Sequence, residues 1–515
     1  MPRTHLLGID VGTSLVRAVV YDLEGREVGR ASRKSETESP HPGWAQQDMA
    51  AVWRLTAEAI REAVAASAVA PSDLAAVGPS GQGDGAWLLD VHGQPVCKAP
   101  LWNDGRAADV VESWQSRGLL ARAFVKGGTM LWPGALAPLL AFLREHEPEL
   151  HRRIATAFCC KDWITYRLTG VLGTDESDGS IPFMSLATRS YDSGQAEMLG
   201  LGDDLAHLPQ VRRSHEVVGE VSGQAAAATG LCAGTPVVAG MLDVAANAVG
   251  VGALAPGQTL TILGTTALNA VVLGAPVFDP GGIGATLCHA VPGRWLRVLG
   301  AMAGTPNLEW YVAAMGEIFR AEAARRPEGL WTLVEEAVAA SPAGAGGVLY
   351  HPYLQGERAP FMNPNARAGF FGIGAGTTRA DLARAVHEGV GLAIRDCLEA
   401  VGRRRAEVML AGGGSRSQAW CQILADVTGR PMCVPAGSEF GTLGAAAAAG
   451  VGTGLFTDYE DAVKRCVRIE RVYEPRPRYE ARYAELYLLY RELQGALSSF
   501  WERRERLVRR WTEEG

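Results

Sequence analysis

Residues 6–17 read LLGIDVGTSLVR and decide the fold of the amino-terminal part of the chain. An apolar run ends at Asp10, a Gly-Thr-Ser turn follows, and a second apolar run begins at Leu15. Gly12 has no Cβ, so the turn lets backbone N–H groups and short hydroxyls come close to a bulky anion. The pattern predicts two strands that are joined by a phosphate-binding turn.

Asp10 closes a predicted buried strand, where an unpaired charge is costly, and a divalent cation beside the phosphates would compensate for it. The alternative is a plain hairpin turn, because Gly, Asp, Thr and Ser all favour turns. A second stretch, TLTILGTTALNAVV at residues 259–272, breaks in the same way at Gly264, Thr265 and Thr266. Two such turns favour two halves that close on one nucleotide.

The length of 515 residues exceeds what one hydrophobic core usually serves, so we expect two domains of about 250 residues each. Hydrophobic residues make up 47% and charged residues 20%, as in soluble globular proteins. A formal charge of -7 gives no broad basic field, which argues against nucleic acid or an anionic membrane as a partner. The nine cysteines lack metal-ligand spacing and no apolar leader precedes the first strand, so we expect reduced thiols in the cytoplasm.

Periodicity predicts the secondary structure of much of the chain. Helices are expected at residues 49–66, 107–118, 136–145, 161–170, 225–230, 379–401 and from 479 onward, and strands at 75–78, 236–240 and 408–410. FGTLGAAAAAG at 440–450 predicts a small-residue helix that packs closely against a neighbour. The polar segment TDESDGS at 174–180 is expected to be a loop.

Several polar segments follow predicted strands, where an open α/β sheet presents groups to a ligand. GPSGQGDGAWLLD at residues 78–90 carries an amide and a carboxylate among glycines, although a plain hairpin would also explain it. Asp243 lies where a strand gives way to a helix, a place that an N-cap could also occupy. AGGGSRSQAW at 411–420 places three glycines before a helix, a weak signal for a nucleotide site.

Taken in order, these motifs resemble the FGGY carbohydrate kinase family, within the larger group of sugar kinases, actin and Hsp70-like ATPases. The resemblance covers nearly the whole chain and is carried by GIDVGTSLVR, PGWAQQD, SGQGDG, LWNDGR, KDWITYRLTG, GMLDVAANAVGVGA, LGTTA, YLQGERAP, AGGGSRSQAW and GTLGAAAAA. It implies an α/β fold of two ribonuclease-H-like domains that flank a deep cleft. The implied domains are a sugar-binding domain at 1–247, an ATP-binding domain at 248–475, and a surface helix at 476–515 packed on the second domain.

The same resemblance implies roles for individual residues. Asp243 matches the catalytic base, and Asp10 matches an aspartate that is linked to Mg²⁺, directly or through water. The positions that match ATP-binding residues are Gly12, Thr13, Ser14, Arg17, Gly264, Thr265, Thr266, Gly413, Gly414 and Ser417. The positions that match substrate-binding residues are Gln82, Gly83, Asp84, Asn103 and Asp104.

The implied activity is an ATP- and Mg²⁺-dependent phosphorylation of a hydroxyl group, with a terminal one favoured, on a small polyol or ketose. Xylulokinases carry Met-His where this chain has Gly83 and Asp84, while QGDGAWLLD looks more like erythritol kinases and, less closely, L-xylulose kinases. A tetritol such as erythritol is therefore favoured over a pentulose such as L-xylulose, D-xylulose or ribulose.

An alternative of another class is an actin- or Hsp70-like ATPase without sugar kinase activity, against which Asp243 and the polar loops at Gln82 and Asn103 argue. The implied location is the cytoplasm, with no nucleic-acid or membrane partner and with a homodimer allowed.

Overall fold

The computed structural model describes residues 3–181, 183–278, 282–315, 321–325, 329–402 and 406–514. Its strands in chain order are β1 His5–Val11, β2 Leu15–Asp22, β3 Glu27–Lys34, β4 Gln46–Gln47, β5 Leu74–Gly81, β6 Trp87–Leu89, β7 Ala99–Pro100, β8 Thr156–Phe158, β9 Thr174–Asp175, β10 Met184–Ser185, β11 Ser190–Tyr191, β12 Val211–Arg212, β13 Val217–Glu220, β14 Pro236–Val238, β15 Met241–Leu242, β16 Thr259–Leu263, β17 Ala267–Leu273, β18 Ala285–Cys288, β19 Trp295–Ala301, β20 Leu349–His351, β21 Gly369–Phe371, β22 Val408–Ala411, β23 Met432–Pro435 and β24 Ile469–Tyr473.

The α-helices span Met49–Ser67, Ala108–Ser116, Leu119–Gly127, Leu136–His146, Pro148–His151, Cys160–Thr169, Glu176–Gly179, Ser193–Met198, Gly223–Thr229, Asp243–Gly250, Pro306–Met315, Leu330–Ala340, Arg379–Val401, Gln418–Thr428, Phe440–Gly452, Tyr459–Cys466 and Glu480–Glu514. Short 3₁₀ turns lie at Pro71–Asp73, Asp203–His207, Ala345–Gly347, Gly413–Arg416 and Pro477–Tyr479.

The chain divides into two compact units, each of which mixes strands and helices. Unit 1 comprises Met1–Pro256, Val272–Leu296 and Glu439–Arg468, and unit 2 comprises Gly257–Val271, Arg297–Ser438 and Ile469–Gly515. The expected two-domain α/β class is therefore confirmed. Each unit draws on segments that are distant in the sequence, and the domain boundaries at 247 and 475 stay predictions.

The main sheet of unit 1 has the strand order β13-β14-β5-β1-β2-β3, with β15 also paired to β5. The pair β1–β2 is antiparallel, which confirms the two predicted strands around the turn. The pair β2–β3 is also antiparallel, while β1–β5 is parallel. In the short parallel pair, Met241 and Leu242 of β15 lie opposite Ser80 and Gly81 of β5. This pairing brings the residue after β15, Asp243, to the same sheet edge as the loop after β5.

The helix Phe440–Gly452 packs against this sheet at very short range. A Cβ added to Gly8 of β1 would lie 1.9 Å from the carbonyl oxygen of Thr442. On the helix itself, a Cβ added to Gly444 would lie 1.9 Å from the carbonyl oxygen of Ala246. Since no real Cβ tolerates such distances, the small residues are required by packing, as the sequence predicts.

The sheet of unit 2 contains the strand order β19-β17-β16-β22-β23-β24. The pair β16–β17 is antiparallel and β16–β22 is parallel, which repeats the arrangement of β1 with β2 and β5 in unit 1. The helix Arg379–Val401 has the bounds that periodicity predicts. Two strand–turn–strand segments thus occupy equivalent places in two sheets.

The predicted loop at residues 174–180 is wrong, because this segment forms β9 and the short helix Glu176–Gly179. Asp175 and Asp178 are buried. Both contact the Nζ of Lys161, at 3.1 and 3.2 Å, and this lysine is itself completely buried. A distant lysine therefore allows a polar segment to enter the interior.

All nine cysteines fall within the described residues and are free thiols. None of the described helices combines the length and the apolar character that a membrane span requires.

Candidate active site

The first turn, residues 12–14, joins β1 to β2. The Gly12 N–H donates to the carbonyl of Leu15 at 3.1 Å, so the plain hairpin alternative is also satisfied. The Thr13 hydroxyl donates to Oε1 of Gln82 at 2.7 Å. A hydroxyl has one hydrogen, so in this arrangement Thr13 cannot also donate to a phosphate. The exposed Ser14 hydroxyl and backbone N–H groups are the remaining types of donor at this turn.

A network of neutral side chains holds the first turn. The buried Gln82 donates from Nε2 to Oε1 of Gln47 at 2.9 Å, and Gln47 donates from Nε2 to the carbonyl of Thr13 at 2.7 Å. Trp102 donates from Nε1 to the Thr13 hydroxyl at 2.9 Å. The sequence reasoning missed the part that Gln47 plays, although its motif, PGWAQQD, was visible. The amide of Gln82 is engaged here, and its contact with a substrate stays a prediction.

Asp10 lies near the end of β1 with its side chain 13% exposed. Arg17 contacts one carboxylate oxygen, Oδ2, through Nη1 at 3.4 Å, and its Nε lies 3.1 Å from Glu439. The other oxygen, Oδ1, is buried and has no hydrogen-bond partner among the described residues. Burial raises the pKa of Asp10, and the charge of Arg17 opposes that shift. Arg17 is thus held between two carboxylates.

Asp243 is the first residue of the helix Asp243–Gly250 and directly follows β15. Its Oδ1 accepts the N–H of Val244 at 2.6 Å. The preceding residue, Leu242, donates its N–H to the Ser177 hydroxyl, which fixes the strand-to-helix junction. Burial raises the pKa of Asp243 to about 7, and the charge of Asp10 contributes to that rise.

Asp84 projects from loop 82–85 in a left-handed conformation, with φ at 55°, which is rare for a residue with a Cβ. A Cβ at the preceding Gly83 would lie 2.1 Å from Cδ1 of Leu242, so the glycine lets the loop pack against the Asp243 junction. Oδ1 of Asp84 is buried without a hydrogen-bond partner in the described part of the chain. Burial raises the pKa of Asp84 to about 8, and the charge of Asp243 adds to the effect.

Asp10, Asp84 and Asp243 are therefore electrostatic neighbours. The charge of Asp10 raises the pKa of Asp243, and the charge of Asp243 raises the pKa of Asp84. A carboxylate with a pKa near 7 can accept or release a proton at neutral pH, and such values are frequent at catalytic sites. The strain at Asp84 is a second sign of function. Three predicted site residues are thus brought together in unit 1.

Asp104 and Asn103 lie differently. The Asp104 side chain is completely buried, and Oδ2 accepts the N–H of Ala45 at 2.7 Å. Its other oxygen accepts the backbone N–H of Arg106 at 2.8 Å and Nε of the same residue at 2.9 Å. Both oxygens of Asp104 thus have protein partners, whereas Asn103 is exposed. Substrate binding by either residue stays a prediction.

A buried charge cluster that the sequence reasoning missed lies beside loop 82–85. A Cβ at Gly83 would lie 3.2 Å from Oδ1 of Asp178. The ligand atoms of Cys159, Asp162 and Asp178 lie close enough together to hold a metal ion. However, Nζ of Lys161 contacts both aspartates and already supplies a cation. The cluster is therefore an internal ion-pair network.

The second turn, residues 264–266, joins β16 to β17 in unit 2. Within it, the N–H of Gly264 donates to the carbonyl of Thr266 at 2.9 Å. Behind it, the N–H of Thr305 donates to the carbonyl of Gly264 at 2.8 Å. A Cβ at Gly304 would lie 2.4 Å from the carbonyl oxygen of Thr265, so the 302–305 segment backs directly onto the turn. The side chain of Thr265 is exposed.

The glycine segment 412–414 follows β22, the parallel neighbour of β16, so it starts beside the second turn. A Cβ at Gly414 would lie 2.4 Å from Cδ2 of Leu263, whereas one at Gly413 would meet nothing within 4 Å. Gly413 therefore leaves space for a ligand. Ser417 accepts the N–H of Trp420 at 3.2 Å as the N-cap of the helix Gln418–Thr428. The same hydroxyl donates its hydrogen to Oε1 of Glu335. The hydroxyl predicted to bind ATP is therefore engaged within the protein both as acceptor and as donor.

The residues around Asp10 fit a divalent cation. An unpartnered, buried carboxylate oxygen beside a second carboxylate is the hard oxygen environment that Mg²⁺ prefers. Arg17 contacts the other carboxylate oxygen of Asp10, Oδ2.

Comparison with protein-family models gives two matches. The N-terminal domain of the FGGY family of carbohydrate kinases matches residues 5–250, and the C-terminal domain of the same family matches residues 259–453. Together the two models span most of the chain.

Individual relatives agree with these matches. An erythritol kinase of Brucella abortus (strain 2308) is 34% identical over 511 residues, covering 97% of this chain and 97% of its own. An L-xylulose/3-keto-L-gulonate kinase of Escherichia coli (strain K12) is 33% identical and covers 96% of this chain and 98% of its own. The crystal structure of xylulose kinase from Rhodospirillum rubrum aligns with a TM-score of 0.86 at 28% identity, covering 97% of this chain and 100% of that one.

Proposed function

The chain belongs to the FGGY family of carbohydrate kinases, and we propose that it transfers the γ-phosphoryl group of ATP to a hydroxyl group of a small polyol. The family is one of sugar kinases, so the alternative of an actin- or Hsp70-like ATPase without such activity is set aside. The substrate, the nucleotide and the residue roles are parts of this proposal.

The observation that carries the proposal is the group of Asp10, Asp84 and Asp243. Asp243 is held at the start of a helix, with a pKa raised to about 7 by burial and by the charge of Asp10. Its deprotonated form can accept a hydroxyl proton at neutral pH. Asp84 lies beside it, with an oxygen that has no partner in the described residues and is available to a substrate hydroxyl.

In the proposed step, the oxygen of the substrate hydroxyl attacks the γ-phosphorus of ATP. The bond between that phosphorus and the β,γ-bridging oxygen breaks, ADP leaves, and the hydroxyl proton passes to Asp243. Phosphoryl transfer requires little covalent chemistry from the protein, so positioning and charge stabilisation dominate. Asp10 would hold Mg²⁺, directly or through water, and that ion would neutralise phosphate charge.

Nucleotide contacts are proposed for each unit separately. In unit 1 the donors are the backbone N–H groups of the first turn, Ser14 and Arg17. In unit 2 they are the second turn and the open glycine Gly413, which adjoin at the ends of two paired strands. Helix capping by Ser417 would position this glycine segment for ATP.

A tetritol such as erythritol is the favoured substrate. In its deprotonated form, Asp84 accepts hydrogen bonds from hydroxyls and can take two vicinal ones. The relative from Brucella abortus is named an erythritol kinase, and the relative from Escherichia coli an L-xylulose/3-keto-L-gulonate kinase. The second name supports a pentulose as the alternative substrate.

A substrate panel tests the proposal. ADP release from ATP and Mg²⁺ is measured with erythritol, threitol, xylitol, L-xylulose, D-xylulose, ribulose and glycerol, and without acceptor. We expect release to depend on the acceptor and to be most efficient with a tetritol. Highest efficiency with a pentulose would favour the alternative, and release that ignores every acceptor would contradict the proposal. The cytoplasmic location and the homodimer stay predictions.

A further inference from the structure

Glu357, in the motif YLQGERAP, is a buried carboxylate of unit 2 that the proposed reaction does not use. Its Oε1 accepts three backbone N–H groups: from Met302 at 2.7 Å, Arg358 at 2.8 Å and Ala359 at 3.4 Å. Its Oε2 is buried without a partner among the residues that the structure describes. A buried carboxylate is costly, so its retention here needs a reason.

The contact with Met302 leads to the second turn. Met302 directly follows β19 and begins the segment 302–305. The same segment ends at Thr305, whose N–H donates to the carbonyl of Gly264. Gly304 lies so close to the turn that a Cβ there would be 2.5 Å from the carbonyl oxygen of Gly264. Glu357 is thus two contacts away from the second turn.

The carboxylate is anchored on its own side as well. The backbone N–H of Glu357 donates to the carbonyl of Asn363 at 2.9 Å, and the Asn363 N–H donates back at 2.9 Å. Its position is therefore set by a closed backbone bridge, and the N–H of Met302 has to meet a fixed acceptor. An acceptor held in this way defines where the 302–305 segment starts.

We propose that Glu357 is a positioning residue for the nucleotide site of unit 2: it fixes the 302–305 segment, which in turn fixes the carbonyl of Gly264 and the geometry of the second turn. This inference rests on the proposed kinase function and goes beyond it, because Glu357 need not touch ATP. It predicts that losing the acceptor weakens nucleotide binding while the polyol site of unit 1 is spared.

The competing explanation is that Glu357 only stabilises the fold of unit 2. Glu388 provides a matched control, because it is also buried in unit 2 and accepts the N–H of Gly344 at 3.0 Å. Its other partners are Arg384, at 2.6 Å, and the hydroxyl of Tyr483, at 2.7 Å. These contacts do not involve the 302–305 segment. Glu388→Gln therefore reports a general loss of stability.

The test measures KM for ATP, KM for the best polyol, Tm, and calorimetric affinity for ADP in Glu357→Ala, Glu357→Gln and Glu388→Gln. In Glu357→Ala we expect KM for ATP and Kd for ADP to rise by about 10-fold or more, because hydrogen bonds to a charged group are lost. The polyol KM should stay within about twofold of the parent. Glu357→Gln retains an acceptor oxygen and should stay within about threefold for the nucleotide. Glu388→Gln should lower Tm and leave both KM values unchanged.

Hydrogen–deuterium exchange without any ligand separates this inference from the proposed kinase function. Peptides over 259–273 and 302–315 should exchange faster in Glu357→Ala than in the parent or in Glu388→Gln. If Glu357→Ala does not fold, Glu357→Asp withdraws the carboxylate by one methylene and should shift exchange and ADP affinity in the same direction. Unchanged exchange in these peptides, or equal changes in both KM values, would overturn the inference. A parent enzyme whose ADP release ignores every acceptor of the panel would contradict the kinase function alone.

Discussion

The first and second turns have similar sequences, GTS and GTT, and follow equivalent strands, yet their surroundings differ. Neutral side chains hold the first turn: Gln82 and Trp102 contact the hydroxyl of Thr13, and Gln47 contacts its carbonyl. The second turn is held through the backbone, by the N–H of Thr305. Similar motifs thus require different neighbours to fix them.

The position of the carboxylates differs as well. Asp10 is on the strand that enters the first turn, its charge raises the pKa of Asp243, and the charge of Asp243 raises the pKa of Asp84. Glu357, by contrast, acts on the second turn only through Met302 and the segment that follows. We therefore propose that the proton chemistry lies in unit 1, while Glu357 acts on the nucleotide contacts of unit 2. The predictions below test that division.

Asp243→Asn gives the largest expected effect. Asparagine keeps the shape of the side chain but cannot accept the hydroxyl proton, and loss of a general base typically costs about 10²- to 10⁴-fold in rate. The steady-state kcat with the best polyol should fall by that amount, while the calorimetric affinity for ADP stays at the parent value. The opposite pattern is expected of Glu357→Ala. A parental kcat in Asp243→Asn would contradict the division between the units.

Asp84→Ala should come next. Above pH 8, where Asp84 is deprotonated, each charged hydrogen bond that is lost to a polyol hydroxyl is worth about 1.5 to 3 kcal/mol, which corresponds to roughly 10- to 150-fold in kcat/KM. The ranking of substrates across the panel should change, and ADP affinity should not. The matched control is Asp109→Ala, which removes an exposed carboxylate in the first turn of the helix Ala108–Ser116. Equal effects of the two substitutions would show that Asp84 has no special part in selectivity.

The pH dependence of kcat separates two carboxylates that both have a pKa raised to about 7, Asp243 and Glu357. The base must be deprotonated, so kcat should rise as the pH increases through about 7. This rise should persist in Glu357→Gln and vanish in Asp243→Asn. If the rise in kcat were lost in Glu357→Gln, the titrating group would be Glu357 of unit 2, and the assignment of the base to Asp243 would be contradicted.

The sequence could predict those parts of the fold that depend on local periodicity. The strands around both turns and the helix Arg379–Val401 were found because their apolar residues recur at the spacing of a strand or a helix. Asp243 was placed at a strand-to-helix junction for the same reason, and the structure has it there. These features are encoded within short stretches.

The remaining features depend on partners that are distant in the chain. The sequence of residues 174–180 predicts a loop because it does not show that Lys161 pairs with Asp175. Nor does it show that the amide of Gln82 donates to Gln47. Glu357 gives no periodic signal, because its role arises from the N–H of Met302, which lies 55 residues away in the sequence. Pairing of buried polar groups is a tertiary property, and local pattern does not reveal it.

The smallest expected effect is on stability, and it compares one carboxylate from each unit. Burial raises the pKa of Asp84 to about 8 and that of Glu357 to about 7, from ordinary values of 3.8 and 4.5. Each folded site then retains a proton that the unfolded chain has released, so its contribution to stability falls as the pH rises from about 4 towards the raised pKa.

The amides in Asp84→Asn and Glu357→Gln do not titrate. Both variants should therefore gain Tm relative to the parent at pH 8, by a few degrees on the scale of about 2–4 °C per kcal/mol, and the gain should shrink by pH 5. Asp104→Asn is the control, because Asp104 accepts N–H groups of Ala45 and Arg106, and it should lose Tm at both pH values. Thermal unfolding of the parent and the three variants at both pH values checks this, and a gain of equal size at pH 5 and pH 8 would show that relief of buried charge is not its cause.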